Sequence, residues 1–322
     1  MPALVGLCGP PNVGKSTFFS AATLAPAEIA NYPFTTVKPN RGIAYVRSRC
    51  PHLELGRECN PNNAPCDQGT RLIPLELVDV AGLVPDAHKG RGLGNQFLDD
   101  LRQAAAFIQL VDASGSTSPD GVPLELGSHD PRSDVGFLDR ELALWIGEVA
   151  TRDWDKWVRR LAIGAASPEK LLAQKLQSLG FREGQVLAAL REAPVALTPR
   201  HRSEEDLFLL GRSLLKHGKP SVVAANKADI APEGLLTNLL AMQERRVVPT
   251  SADHELALRR AAKAGLVAYL PGAPHFEMAD PDRLTGAQRK ALERVAAFLK
   301  RFGSTGVQQC LEELVFKALD HI

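Results

Sequence analysis

Apolar positions along the chain gather into short runs, each closed by glycine or an acid. ALVGLCG, residues 3–9, predicts a buried strand ended by glycine, and GKSTFFSAATLA predicts the helix after it. Residues 31–49 hold NYPFTTVKPNRGIAYV, a proline-interrupted loop running into a second strand. From Cys50 to Thr70 the composition shifts to Pro, Asn and Cys, which predicts a loop insertion. The strand LIPLELVD follows, then the glycine-rich loop VPDAHKGRGLGN, the helix NQFLDDLRQAAA and the buried strand AFIQLVDAS. Residues 116–134 lose periodicity. Residues 135–215 then keep helical spacing almost throughout, with breaks near Ser167-Pro168, Leu179-Gly180 and Ala193 to Pro199. Strands return at PSVVAANKAD and RRVVPTSAD, and the chain after Pro274 reads as further helix. Strands alternating with helices predict an α/β fold, a mostly parallel doubly wound sheet carrying a helical insertion. The expected organisation is a nucleotide-binding domain in two parts, 1–127 and 215–273, an inserted helical block at 128–214, and a helical segment at 274–322.

Composition narrows the class. The 322 residues suffice for one elaborated domain or two. Lys plus Arg number 38 against 37 Asp plus Glu, so bulk charge gives no reason to expect nucleic-acid binding. Between residues 252 and 301, nine basic residues face six acidic ones, a local excess compatible with ribosomal RNA. No apolar run is long enough to span a bilayer, and no secretory signal precedes ALVGLCG. With five cysteines, these features predict a reducing cytoplasmic setting and no membrane contact. A monomer is expected.

Three motifs carry chemistry. GPPNVGKS, Gly9 to Ser16, fits G-x-x-x-x-G-K-S/T between a predicted strand and a predicted helix. Its backbone N–H groups can curl around phosphate oxygens at the positive helix N-terminus. Lys15 is the candidate for the terminal phosphates, and the Ser16 hydroxyl for a magnesium ion. Asn12, Val13, Gly14, Lys15, Ser16 and Thr17 form the expected nucleotide contact. A chance glycine turn is the competing reading, and its context disfavours it. Asn226-Lys227-Ala228-Asp229 follows a strand. The Asp229 carboxylate can accept from guanine N1–H and the 2-amino group, a donor pair that adenine lacks. A simple Asx turn is the alternative. Ser251 and Ala252 close the next strand, where a backbone N–H can meet the guanine oxygen. Asp79 and Gly82 fit Asp-x-x-Gly, with Asp79 a magnesium partner through water. Thr36, favoured over Thr35, is the candidate to cap magnesium. Lys15, Thr36 and Gly82 are the catalytic candidates.

Taken together, GPPNVGKS, NYPFTTVKPN, DVAGL, KGRGLGNQFL, NKAD and TSA resemble the Obg/YchF group of translation-factor GTPases, and most closely its archaeal YchF-related branch. LRRAAKAGLVAYLPG and RFGSTGVQQCLEELVF resemble that branch too. The resemblance implies a TRAFAC-type P-loop G domain interrupted by a coiled-coil-like helical insertion. It also implies GTP and GDP as ligands and a link to ribosomes and translation. Some relatives alter the guanine motif and prefer ATP; the intact NKAD here favours GTP. The family usually carries a small C-terminal TGS domain, and this sequence stops at Ile322, where that domain would begin.

Leu83 stands where Ras-like switches place a water-orienting Gln. The resemblance accounts for it, since members of this group carry an apolar residue there. Slow intrinsic hydrolysis is expected, sped by a partner such as the ribosome. Asn12 is a candidate to help a potassium ion stand beside the phosphates, or is simply a loop former that tolerates the left-handed region. Two other readings remain open: a YchF-type ATPase, and a nucleotide-gated scaffold that does not hydrolyse. Cys50, His52, Cys59 and Cys66 invite a zinc reading, but C-x-H-x6-C-x6-C lacks the usual C-x2-C knuckle, and an ordinary reduced loop is favoured. Trp145, Trp154 and Trp157 could stack RNA bases, but helix-packing core is the favoured role.

Overall fold

The computed structural model describes residues 3–24, 41–57, 59–61, 64–67, 69–80, 103–153, 156, 167–193, 203–243 and 245–319. Its centre is a seven-stranded sheet whose main path runs β2 (Arg41–Arg49), β4 (Thr70–Asp79), β1 (Leu4–Cys8), β5 (Ala106–Asp112), β6 (Ser221–Asn226) and β7 (Val247–Pro249). The short β3 (Cys66–Asp67) pairs with β4. β1 lies parallel to β4 and β5, and β5, β6 and β7 continue parallel. β2 runs antiparallel to β4 at the edge.

The alternation of side chains assigns the two faces. β5 is buried at all seven positions. Ala106, Ile108 and Leu110 join one core with Val5, Leu7 and Phe18, while Phe107 and Val111 join the other with Leu138, Leu142 and Leu214. A strand apolar on both faces belongs inside a sheet covered on both sides, which is why AFIQLVD lacks polar alternation. The first face is covered by α1 (Lys15–Thr23), α8 (Ala252–Lys263), α10 (Val307–Glu312) and a π-helical turn at Glu313–Ala318. The second is covered by the long α3 (Pro131–Thr151) and α6 (Glu204–Gly218), with α4 (Pro168–Leu176) and α5 (Glu183–Glu192) beyond. Asp130, whose side chain accepts from Arg132 N–H, caps α3, and Ser203 and Asp206 form a capping box on α6.

α3 and α6 meet backbone to backbone. A Cβ on Gly211 would lie 1.7 Å from the Ala143 carbonyl oxygen, and one on Gly147 2.2 Å from that of Leu207. Trp145 is buried in this layer, as its core role required; Trp154 and Trp157 lie outside the described residues. Residues 50–69 differ from a plain loop: they contain the one-turn α2 (His52–Leu55) and β3. α7 (Glu233–Leu240) follows β6. The C-terminal stretch contributes a two-stranded ribbon, β8 (Val267–Ala268) with β9 (Glu277–Met278), and the capped α9 (Gly286–Phe302). Among the described residues no helix is long and apolar enough to cross a membrane.

Candidate nucleotide site

β1 ends at Cys8, whose buried thiol is pushed up to about 12 by desolvation and therefore stays neutral core. The chain then turns through Gly9–Gly14 into α1. Asn12 sits in the left-handed region at φ 62°, and its amide nitrogen donates to the Gly121 carbonyl at 2.8 Å. Asn12 thus takes the conformation that a short polar side chain tolerates, and keeps Oδ1 for any further partner. Gly14 is required twice over. Its φ is +96°, and a Cβ there would come within 2.3 Å of Asn226 Nδ2. Lys15 opens α1, with its ammonium donating to the carbonyls of Gly9 at 3.1 Å and Pro10 at 2.7 Å. Burial lowers its pKa, with Asp79 and Cys8 opposing. The Ser16 hydroxyl donates to Asp79 Oδ2 at 2.7 Å. Thr17 follows on the first turn, half-buried.

Asn226, at the end of β6, holds the two recognition loops together. Its Nδ2 donates to the Val13 carbonyl at 2.8 Å, and its Oδ1 accepts from the Ala252 N–H at 3.0 Å. The Ala252 amide is therefore committed to Asn226 here. Ser251 is buried, donates its N–H to the Thr305 carbonyl at 2.9 Å and caps α8 by accepting from His254 N–H. Asp229 is 21 % exposed and faces His254 Nε2 at 3.9 Å. Burial lowers the His254 pKa, with Asp229 and Asp253 opposing and Arg294 adding. The imidazole is then neutral at pH 7, and the Asp229 carboxylate is free of a cationic partner on that side.

One residue escaped the sequence reading. Asp112, at the end of β5, is fully buried and accepts from Lys227 Nζ at 2.7 Å, Thr117 Oγ1 at 2.6 Å and the Ser114 N–H at 3.0 Å. Burial raises the cost of its charge, but the hydrogen bonds from Lys227, Ser114 and Thr117 outweigh it and hold the carboxyl below its usual range. Lys227 has φ 59°, so its backbone is bent to aim the ammonium at this cluster. The signal in the sequence was the acid ending a buried strand with Ser114, Ser116 and Thr117 directly after it. Thr36 and Gly82 lie outside the described residues.

The donor set at Ser16 and Asp79 is a hydroxyl and a carboxylate at a helix N-terminus. These are hard oxygen ligands beside an anion cradle, which suits Mg2+. A phosphate loop, an acid ending the neighbouring strand, and an Asn-Lys-x-Asp loop stitched to the first occur together in GTP-binding domains.

Comparison with known proteins agrees. Residues 224–322 match the model of an Obg-like GTPase, YGR210-like, G4 motif-containing domain, and residues 4–137 match that of a 50S ribosome-binding GTPase. An uncharacterised GTP-binding protein of Methanocaldococcus jannaschii is 47% identical, over 99% of this chain and 80% of its own. A ribosome-binding ATPase, YchF, of Bacillus subtilis is 35% identical over 71% of this chain and 57% of its own. The crystal structure of a GTP-binding protein from Pyrococcus horikoshii superposes with a TM-score of 0.74 at 37% identity, covering 99% of this chain and 79% of that one. With its P-loop domain, its intact guanine motif and relatives alike over nearly its whole length, the chain belongs to the YchF/Obg-like family of GTP-binding proteins.

Proposed function

We propose that the protein binds GTP with Mg2+ and hydrolyses it slowly to GDP and phosphate, as a molecular switch acting at ribosomes. The observation that carries the guanine reading is the Asn226 stitch. It fixes the Val13 and Ala252 loops to one another and leaves the Asp229 carboxylate beside them, partly open and, among the described residues, faced by the neutral His254 imidazole. Adenine would leave that acceptor unpaired, and unpaired polar groups in a site built for them discriminate strongly.

In the proposed reaction, water attacks the γ-phosphorus and the bond to the β–γ bridging oxygen breaks, releasing GDP. The transition state is loose, so positioning and charge compensation supply most of the acceleration. The backbone N–H groups of Gly14 to Ser16 hold the β-phosphate at the α1 N-terminus. Lys15 exchanges the two carbonyls it now contacts for terminal phosphate oxygens. Ser16, Asp79 through water, and Thr36 are the residues that would hold Mg2+, whose chemistry is to neutralise charge on the β- and γ-oxygens. Asn12 Oδ1 is the atom available to a potassium ion. Leu83 has no hydrogen-bonding group to orient water, so slow turnover without a partner follows. The ribosomal link rests on the relatives named for ribosome binding, and so does the second reading, an ATPase of the YchF type.

The test is displacement of a fluorescent GTP analogue by GTP or ATP, followed by phosphate release in sodium and potassium buffers, with and without ribosomes. GTP should displace at least about a hundredfold better than ATP, the discrimination of a polar acceptor left unpaired. Equal displacement would hand the site to the ATPase reading. Tight GTP binding without turnover under every condition would leave only a nucleotide-gated scaffold.

A further inference from the structure

Four side chains that the linear spacing left as an ordinary loop converge at the far end of the sheet. The ligand atoms of Cys50, His52, Cys59 and Cys66 all lie within 4.8 Å of one another. Cys50 Sγ is 3.7 Å from Cys59 Sγ, and Cys66 Sγ is 3.7 Å from His52 Nδ1. A tetrahedral zinc with sulfur at ~2.3 Å and nitrogen at ~2.0–2.1 Å requires edges of roughly 3.8 Å between sulfurs and roughly 3.6 Å from sulfur to nitrogen. Both close pairs meet those edges. A disulfide would need ~2.05 Å, and all five cysteines are free thiols.

The backbone explains why these positions meet. Cys50 directly follows β2, and its N–H donates to the Gly69 carbonyl at 2.8 Å. Arg49 is paired with Thr70 and Cys66 with Arg71, so β2 and β3 flank the start of β4 from its two sides and come to the same level of the sheet. α2 brings His52 back over Cys50, with the Leu53 N–H donating to the Cys50 carbonyl at 3.2 Å. Three ligands thus stand on hydrogen-bonded backbone, and Cys59 closes the group from the connection. Outside them, Arg71 places Nη1 on the Ala64 carbonyl at 2.9 Å and Nη2 3.9 Å from Cys59 Sγ. A guanidinium there compensates the net negative charge of three thiolates, one imidazole and a dication.

The described part of the excursion buries little apolar surface. Among the described residues of 50–69, only Cys50 and Gly69 are buried; Leu53 and Leu55 are 50 % and 68 % exposed. A polar segment of that length without an apolar core requires a staple to stay in one conformation. We propose that Cys50, His52, Cys59 and Cys66 bind a structural Zn2+ ion as a closed Cys3His tetrahedron that pins the β2–β4 connection. Sulfur and imidazole ligands select zinc over the hard cations that suit the phosphate loop, and four protein ligands leave no open position for catalysis.

The experiment is metal analysis of untagged protein purified from zinc-supplemented medium, paired with zinc release by a mercurial thiol reagent read with a chromogenic chelator. About one zinc per chain is expected, released as the thiols react. Cys59→Ser and His52→Ala, on the outer side of the site, should each lower the retained zinc at least about tenfold and speed proteolysis within 50–69. The GTP-analogue affinity of both variants should hold, showing that the rest of the chain folds. Reduced, anaerobic wild-type protein that neither retains zinc nor takes Zn2+ from the chelator would overturn the proposal. So would iron in place of zinc, or a Cys50–Cys59 disulfide found by mass spectrometry in protein kept under reductant.

Discussion

Removing the guanidinium of Arg259 should cost more stability than almost any other single change outside the cores. Its Nε donates to Glu255 Oε1 at 2.6 Å, and its Nη1 reaches the carbonyls of Ala22 and Leu24, each at 3.2 Å. The two side chains are 8 % and 0 % exposed. Glu255 Oε2 also accepts from the Tyr269 hydroxyl at 2.7 Å and from Thr305. Arg259→Met keeps the aliphatic stem and strands the Glu255 carboxylate, together with the two carbonyls at the end of α1. Breaking a buried pair on one side costs about 3–5 kcal/mol. Two neutral donors still serve the carboxylate, which places the expected loss near the lower end, about 3 kcal/mol. Against a total of about 5–15 kcal/mol, urea unfolding would show a large drop in midpoint at unchanged slope. Glu255→Leu combined with Arg259→Met should recover much of the loss, because the stranded charge leaves with its partner. A single-variant loss under about 1 kcal/mol, or a double variant no better than the single one, would refute the reasoning. The pair matters to the candidate site as well: α1 starts at Lys15 and α8 at Ala252, so this bond ties the helix after the candidate phosphate loop to the helix after the candidate guanine loop.

Two further outcomes follow from the nucleotide site. Asp229→Asn should weaken GTP binding by about 3 kcal/mol, roughly a hundredfold, and improve binding of xanthosine triphosphate, whose 2-oxo group accepts where guanine donates; an unchanged preference in competition would remove Asp229 from base recognition. His254 has a folded pKa lowered by burial below its ordinary 6.5, so its contribution to stability is complete above 6.5 and is lost as pH falls through the lowered value. The same protonation sets an imidazolium 3.9 Å from Asp229, so GTP-analogue affinity should decline toward pH 5; His254→Phe should flatten that decline, and identical pH profiles would show the imidazole plays no part.

What the sequence disclosed and what it withheld divide by distance along the chain. GPPNVGKS, NKAD and TSA were legible because each is one strand, one turn and one helix start. The glycine, the loop amides and the cap there lie within a few residues of each other. The two-sided burial of AFIQLVD was legible for the same reason, since a run without polar alternation already implies cover on both faces. Asp112 was not, because its partner Lys227 comes 115 residues later and only the parallel pairing of β5 with β6 brings them together. The amphipathic pattern after Pro274 announced helix but not its destination. Val307, Cys310, Leu311 and Leu314 share a core with Leu7 and Phe18, and the Thr305 carbonyl holds the Ser251 amide. The cysteine cluster misled for a related reason. Local zinc knuckles place paired ligands two residues apart, whereas here the β2–β4 register does the work that close spacing does elsewhere.

That register also keeps two kinds of chemistry apart. Asp79 and Thr70 stand at opposite ends of the ten-residue β4, a separation of roughly 30 Å. At the Asp79 end the donors are a hydroxyl, a carboxylate and amides, a set for hard cations and phosphate oxygens. At the Thr70 end they are three thiols and an imidazole, a set for a soft or borderline cation. Neither set suits the other's ion, so a zinc-selective chelator should strip the proposed staple without competing for the magnesium proposed to accompany the nucleotide. The two ends still share a strand pair: β2 starts beside Val78, one residue before Asp79, and ends beside Thr70. A loosened β2–β4 connection would act on the nucleotide end only through this ladder, as a change in strand order rather than a lost ligand.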